Sequence, residues 1–558
     1  MFKENIQPEI FSFENQLLTK EQQKLLDKTH EKAFYNLIFR NIKETDYKIL
    51  FSESASRPNV PVNILVSALI LKERKSWSYD ELMESILFDM RTKIALGLTS
   101  LDYKPFSRAT IFNFQNRLLE YEQQTGVNLL EKTFDNLTAK QLNELKIKTD
   151  IQRSDSTLIS SNIRKYSRTQ LLIEVLLRLT RIFDDEDKDV FATQIKPYSA
   201  DGSEKYIYNL KSSDLTHELE KLGKLYHAVY DFVKTKYSDK KEFRIFERVF
   251  EEHFTIVEGK AETKPNDELN SSMLQSPDDE DATYRKKGDQ ESKGFSINAT
   301  ETANPDNDIQ LLTDIAVEQN NIDDSKILGN RIDNVVEKTP DLNELHTDGG
   351  YGSKEVDEKM EQHNIKLITT AVKGRKSEIE KIITQSIDDK DQYTVKCPKQ
   401  TVSSQPTKKK NKAIFDIVKC SQCSLKEKCD IFKNKGKFYF THSDYLKNER
   451  NQNISTIPKE RRKIRANVEA TIKEFKVKTK AGKLKVRGIF KASLFAYAMG
   501  ISINFGRIYR MLVKKGIDIN EILLFFTKFK NQMIFFTHYI AINNILHENF
   551  QISNSVKG

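Results

Sequence analysis

A mixed α/β sheet with flanking helices and long insertions, preceded by an all-helical N-terminal region, is the fold class this sequence predicts. Three observations predict it. Glycine (19) and proline (12) are scarce in 558 residues, each below half the usual ~7% and ~5%, which favours a helix-rich globular chain. Apolar residues recur at helical spacing over 14–40 and 59–145. The period then drops to two over Leu145–Ile159, and strand and helix patterns alternate as far as Val372.

In the N-terminal region, Val60 to Leu71 is a strongly apolar helix with Pro61 acceptable in its first turn. Ser76 to Leu82 supplies cap residues for a helix over Glu81–Arg91. Phe106 to Leu118 fits the second helix of a helix-turn-helix, with Ser107, Arg108 and Thr110 toward DNA; a plain helical bundle fits as well. In the first strand Ile147, Ile151, Asp155, Thr157 and Ile159 share a face. Residues 165–255 read as helical, and the acidic stretch 256–294 as an exposed loop. Strands are predicted at Phe295–Thr302 and Ile309–Val317, then a helix capped by Asp323 or Asp324. A short strand ends at Asp348, a helix spans Lys354–His363, and a strand spans Lys366–Val372. From Lys459 the pattern is helical to near the end.

Composition excludes several classes. With 38% hydrophobic residues the chain can build cores, so wholesale disorder is excluded. The longest uncharged run, Asn531–His547, has 17 residues and holds two His, three Asn and a Gln, short of the ~20 apolar residues a spanning helix needs. The first residues lack a signal-peptide core, so the expected address is cytoplasmic with no membrane partner. Between Lys459 and Arg487 twelve Lys/Arg face three Glu, which equals the +9 net charge of the whole chain. Such a block attracts a phosphate backbone through counterion release.

Three carboxylates stand out. Asp155 is mid-strand within Arg153-Ser154-Asp155-Ser156-Thr157, and Asp348 ends a strand before Gly349-Gly350-Tyr351-Gly352, glycines that let the backbone turn sharply. Glu469 lies on a helix on which, at ~100° per residue, Arg465 is about 40° and Lys476 about 20° away, so the three share a face. Ile464, Val468, Ile472 and Phe475 form the neighbouring apolar stripe. An acid between two bases suits a metal-binding carboxylate with phosphates alongside, although i, i+4 surface pairs give the same pattern. Asp150 is the rival to Asp155, and His346 reads as structural. The chain's four cysteines, Cys397, Cys420, Cys423 and Cys429, all fall within 33 residues as C-x22-C-x2-C-x5-C. Four thiolates suit structural Zn²⁺; reduced, unliganded thiols remain the other reading, since only one C-x2-C knuckle is present.

Here the sequence resembles the DDE transposases of bacterial insertion sequences. Arg465-x3-Glu469-x6-Lys476 matches the family's Tyr-x2-Arg-x3-Glu-x6-Lys signature, with Arg462 in place of the Tyr. Asp155-Ser156-Thr157 is similar to the first acidic motif and Asp348-Gly349-Gly350-Tyr351-Gly352 to the second. Ser56-Arg57-Pro58 through Leu98, Thr110–Leu118, Asp281–Arg285 and Arg487-Gly488 extend the likeness to a branch with a Cys-rich insertion before the Glu.

The resemblance implies a ribonuclease-H-like catalytic core with zinc-ribbon-like and helical insertions. It implies three regions: a helical DNA-binding domain (1–140), a catalytic domain (141–510, insertions 165–290 and 378–455) and a helical tail (511–558). Asp155, Asp348 and Glu469 would hold two Mg²⁺, while Arg108, Arg462, Arg465 and Lys476 would contact DNA. Double-stranded DNA, as transposon inverted repeats and target, and a second copy of the chain are the implied partners. A catalytically inactive DNA-binding repressor or domesticated relative is the alternative, and a ribonuclease-H-like nuclease that hydrolyses without joining is a third reading.

Overall fold

The computed structural model describes residues 1–5, 13–54, 58–103, 106–200, 202–371, 379–386, 389, 391–458, 461, 463–479 and 482–517, with backbone alone at 455, 465 and 466. Ser56, Arg57, Arg462, the Asn531–His547 run and most of the expected C-terminal tail therefore lie outside the described residues.

The N-terminal region is helical. Helix α1 (Val62–Lys75) follows Pro61, which takes the cap position rather than the first turn, and every residue from Val62 to Lys72 is buried. It ends at Ser76, whose left-handed conformation (φ 58°) turns the chain. The next helix, Tyr79–Phe88, starts two residues earlier than its periodicity suggests because Ser78 and Glu81 form a capping box. Helix α2 (Arg108–Thr125) buries Ile111, Phe114, Gln115 and Leu118. Helix α3 (Leu129–Glu144) is capped by Asn128. The first strand begins at Ile151, later than the predicted Leu145, because α3 runs to Glu144 and Lys146 takes a positive φ of 51°.

Strand β1 (Ile151–Ser160) is central. After it, helices including Arg168–Thr180, Leu215–Val233 and Lys241–His253 enclose their own core around Tyr226, Phe246 and Val249. The predicted loop 256–294 is instead largely ordered. Strands β2 (Phe254–Val257) and β3 (Lys260–Thr263) form a hairpin whose turn, Glu258-Gly259, has φ of 48° and 74°. Strands β4 (Thr283–Lys287) and β5 (Gln290–Thr302) follow. Two of its acids are used inside the fold, while Asp267, Glu268 and Glu280 stay exposed: Asp279, 3% exposed, accepts from Ser161 Oγ and Gly488 N–H, and Asp281 accepts from Ile489 N–H. They thus serve orphan amides at the start of a distant helix.

Strand β6 (Leu312–Gln319), helix α4 (Asp324–Lys338), strand β7 (Glu344–Thr347), helix α5 (Lys354–Gln362) and strand β8 (Lys366–Thr369) complete the six-stranded mixed sheet. Its order is β4-β5-β1-β7-β8, with β6 also on β5. β1 runs antiparallel to β5 and parallel to β7, and β7 is parallel to β8. Arg331 and Lys338 of α4 clamp the buried Asp314 of β6, and Arg331 also reaches Glu131 of α3, joining the helical region to the sheet. Burial alone would raise the pKa of Asp314, but the two cations hold it below the usual carboxylate value.

The Cys-containing region is a five-stranded antiparallel sheet: β9 (Ile382–Gln385), β10 (Tyr393–Lys396), β11 (Thr401–Pro406), β12 (Asn411–Ile414) and β13 (Lys437–Phe440), ordered β13-β12-β11-β10-β9. A helix, His442–Thr456, returns from it to β8 and α5. The helix expected to continue unbroken from Lys459 is interrupted. After Lys463–Ala466 come α6 (Val468–Val477), a non-helical stretch in which Lys483 bridges Ser160, and α7 (Ile489–Lys515). By length and composition α7 could cross a membrane, so the sequence does hold a stretch of that kind. In this fold 78% of its apolar window is buried, against α1, α3 and β6, and Asn504 satisfies both N–H and C=O of Leu312.

Candidate active site: an acidic face of the sheet

Side chains alternate across β1, so Ile151, Arg153 and Asp155 share one face and Gln152, Ser154 and Ser156 the other. Asp155 is 8% exposed, and its Oδ1 accepts the Ser156 N–H at 2.9 Å. Parallel pairing aligns Arg153 with His346. The ladder ends there, and Asp155 and Asp348 each lie two residues beyond this last pair, at the same end of the two neighbouring parallel strands.

Asp348 caps the short turn Gly349–Tyr351, and its Oδ1 accepts the Gly350 N–H at 2.7 Å. Neither Gly349 nor Gly350 adopts a positive φ, so a sharp turn is not what requires them. Proximity is: a Cβ at Gly349 would lie 2.8 Å from the Ala371 carbonyl, and one at Gly350 would lie 3.0 Å from Asp348 Oδ1. The latter would also lie 3.5 Å from Oδ2 of Asp324, a third carboxylate that the sequence shows only as a helix-start residue. Asp323 occupies the cap position, which frees Asp324, the first residue of α4, to accept from Ser156 Oγ at 2.6 Å. Beneath them the fully buried Tyr351 donates to Asn298 Oδ1 at 2.5 Å. Its phenol is held far above its ordinary pKa, first by burial and then by the negative charges of Asp324, Asp155 and Asp348. One hydroxyl thus senses all three acids. Nothing in the spacing of Asp324 marks it; only the β6–α4 crossover brings it here.

Glu469 is the second residue of α6 and is exposed. Its helix lies across the face of β1 that carries Asp155. Ile464 packs with Ile151 and Ala303, and its carbonyl accepts from Arg153. Val468, Thr471 and Phe475 are the buried stripe, and Thr471 Oγ donates to Glu301 at 2.8 Å. Glu301 is paired in register with Arg153 and is 0% exposed. Lys476, also exposed, shares the flank of Glu469, about 20° away. Arg465 lies in the described helix Lys463–Ala466 by its backbone alone. Arg108 is remote in the chain, at the start of α2, where it pairs with Asp80 at 2.6 Å.

His346 bonds Glu344 at 2.6 Å, and Glu344 also meets Arg461 at 2.7 Å. Asp150 precedes β1 and accepts from Asn304 at 2.7 Å. The four cysteines are free thiols lining one small cavity with Gln400, Leu425 and Ile431. Burial pushes the Cys420 thiol up, and Cys397, Cys429 and Cys423 add to the rise. Gln400 Nε2 lies 3.3 Å from Cys420 Sγ. Among the described residues no group of three or more His, Cys, Asp or Glu is arranged to hold a metal ion.

Residues 389–509 match the family model of the transposase DDE domain. That span holds the four cysteines, α6 with Glu469 and most of α7, and leaves Asp155 and Asp348 outside it. No curated protein and no solved structure matches the chain. The matched domain supports a DDE transposase, with an α/β core and a helical N-terminal region around it.

Proposed function

We propose that this protein is a DDE-type DNA transposase: it cleaves DNA at transposon ends and transfers the freed 3′-hydroxyl to target DNA. The observation that carries this is the acidic end of the sheet, where Asp155 and Asp348 each lie two residues beyond the last pair of neighbouring parallel strands and the Glu469 helix crosses the Asp155 side, in a chain whose 389–509 segment matches a transposase DDE domain. The sheet, with β5 reversed between β1 and β6, supports reading the core as ribonuclease-H-like.

Carboxylate oxygens are the donors hard divalent cations prefer, so Asp155, Asp348 and Glu469 fit Mg²⁺ where the thiols do not. Asp155 would serve two ions, with Asp348 and Glu469 each holding one side. When bound, the pair supplies activation of the attacking oxygen and neutralisation of the leaving one. The chain's own residues do the rest. Ser156 and the Gly350 amide hold two of the carboxylates in place, and Asp324 holds Ser156. Lys476, Arg465 and Arg462 would grip phosphates beside the cut, Arg bidentately, and Arg108 would touch the DNA end. In each step a P–O bond forms to water or a 3′-hydroxyl as the opposite P–O bond breaks, and the departing oxygen leaves as a 3′-hydroxyl.

The regions 1–140, 141–510 and 511–558 would be the DNA-binding, catalytic and tail units. The chain would act as a homo-oligomer on two ends, in the cytoplasm and on the nucleoid when bound. The cysteine cavity would hold one structural Zn²⁺, its four thiols being the soft donors that ion favours.

The test is incubation with Mg²⁺, a DNA substrate bearing the element's own ends, and a target plasmid. Joined products are expected. Nicks without joining would indicate a nuclease, and bound, intact DNA an inactive repressor. Glu469→Gln is expected to abolish cleavage while end binding stays within about twofold; full cleavage by that variant refutes the ligand assignment.

A further inference from the structure

At the far end of β1 lies a cavity of about 620 Å³, lined by several charged side chains, that the acidic site does not use. Its cations come from three distant stretches: Arg164 and Lys165 after β1, Lys293 of β5, and Lys483 and Arg487 from the segment between α6 and α7. Glu204 is the one carboxylate among its described lining residues and meets Arg164 at 3.2 Å. The inner cations are fixed largely by backbone oxygens. Lys293 donates to the Tyr166 carbonyl at 3.1 Å, Lys483 to Ile163 at 2.9 Å, and Arg487 to Asn162 at 2.8 Å. A carbonyl positions an ammonium without cancelling its charge, and two of its three N–H donors stay unused by that bond. Nearby, Asp278 lies 3.3 Å from Arg487, and Asp279 accepts from Ser161 in the wall. Among the described lining residues five cations face one carboxylate. Burial lowers the pKa of Lys293, opposed by Glu291 and aided to a lesser degree by Lys165.

We infer that this cavity binds backbone phosphates of the DNA strand that runs through the acidic site. Two of its cations, Lys483 and Arg487, end the basic run 459–487 that also contains Glu469, so one basic segment of the chain contributes to both sites. Ser160 in its wall is five residues beyond Asp155 on the same strand. That is about 17 Å at ~3.4 Å per residue, the axial rise of about five nucleotides of one strand. The inference rests on the DNA-cleaving reading above and adds to it a place where the flanking duplex is held.

The experiment measures binding of a fluorescein-labelled DNA duplex against salt concentration. Arg164→Gln with Lys165→Gln, both exposed and outside the acidic site, is compared with Lys188→Gln with Lys234→Gln, an equal charge loss on the insertion helices. Each phosphate contact contributes about 0.9 to the slope of log K against log salt, so the cavity variant should lose about 1.8 from the slope and the control nothing. Lys165→Arg should retain the wild-type slope. A cavity variant with the control's slope overturns the inference alone; wild-type protein that binds no duplex overturns it together with the transposase reading. Inorganic pyrophosphate is titrated in parallel. Binding of pyrophosphate that the cavity variant loses while its DNA slope stays normal identifies a small-anion site and also overturns it.

Discussion

Glu301→Gln probes whether the Glu469 helix is set by one buried carboxylate. Glu301 Oε1 accepts from Arg153 Nε and Nη2 at 2.7 and 2.6 Å, and Oε2 from Arg507 Nη1 at 2.6 Å and Thr471 Oγ at 2.8 Å. Strand β5, strand β1, helix α6 and helix α7 thus meet at a side chain with 0% exposure. An amide there removes the negative charge and turns an N–H₂ toward a guanidinium that has only donors. Breaking a buried pair in this way costs about 3–5 kcal/mol. Thr471→Val removes two hydrogen bonds, to Glu301 and from Arg507 Nη2, and leaves the charges paired, a loss of about 1–3 kcal/mol. The assay is urea unfolding followed by the single tryptophan, Trp77, which packs against the same core as Phe475. Hydrogen exchange over Val468–Val477 then shows whether the helix has loosened. Glu301→Gln should unfold at clearly lower urea than Thr471→Val, with faster exchange in α6. An unchanged midpoint, or the reverse order, refutes the clamp.

Asp324→Asn should leave stability within about 1 kcal/mol, since one hydrogen bond from Ser156 is weakened. It should raise the Mg²⁺ or Mn²⁺ concentration needed for binding about tenfold, as loss of supporting groups around a metal does; titration calorimetry without DNA reads this, and unchanged metal affinity would discard Asp324. For the thiols, about one Zn²⁺ per chain should be found by metal analysis, and Cys420→Ser should release it and expose residues 391–440 to proteolysis. Equal resistance with and without metal counts against zinc. Burial raises Glu144 to about 7, opposed by Lys140, and leaves Oε2 without a hydrogen-bond partner. Because its folded pKa lies above the unfolded one, this site favours folding below about pH 4.5 and that advantage disappears as pH rises to 7. Glu144→Gln should therefore stabilise the protein at pH 8, by about 1 kcal/mol after screening, and have no effect at pH 4; equal melting shifts at both pH values would contradict this.

What the sequence revealed followed from local rules. The apolar stripe Ile464, Val468, Phe475 placed α6 against the sheet, and the Asp155 and Asp348 strands were visible from their alternation. What it concealed was set by distant partners. The acidic stretch 278–281 looks solvated in isolation, yet Asp279 and Asp281 cap α7 from more than two hundred residues away. Asp324 passes for a cap residue until β6 delivers α4 to Ser156. The sheet around the cysteines escapes the sequence reading because its strands are four to six residues long, with few apolar contributions such as Val395, Ala413 and Phe440.

The acidic face also explains how so large an insertion is tolerated between Asp348 and Glu469. Loop closure grows only logarithmically with length, about 0.6 kcal/mol per doubling, provided that the ends meet. Here they do. Asn448 on the returning helix bonds the Ile383 amide and the Lys381 carbonyl at the start of the inserted sheet. Arg450, two residues on, pairs with Asp357 of α5 at 2.5 Å, both nearly buried. The chain therefore leaves the main sheet after β8 and comes back beside it before α6 begins. Asn448 and Arg450 thus tie the two ends of the insertion together and to α5. The position of Glu469 is then fixed by Arg153, Glu301 and Arg507, none of which belongs to the insertion.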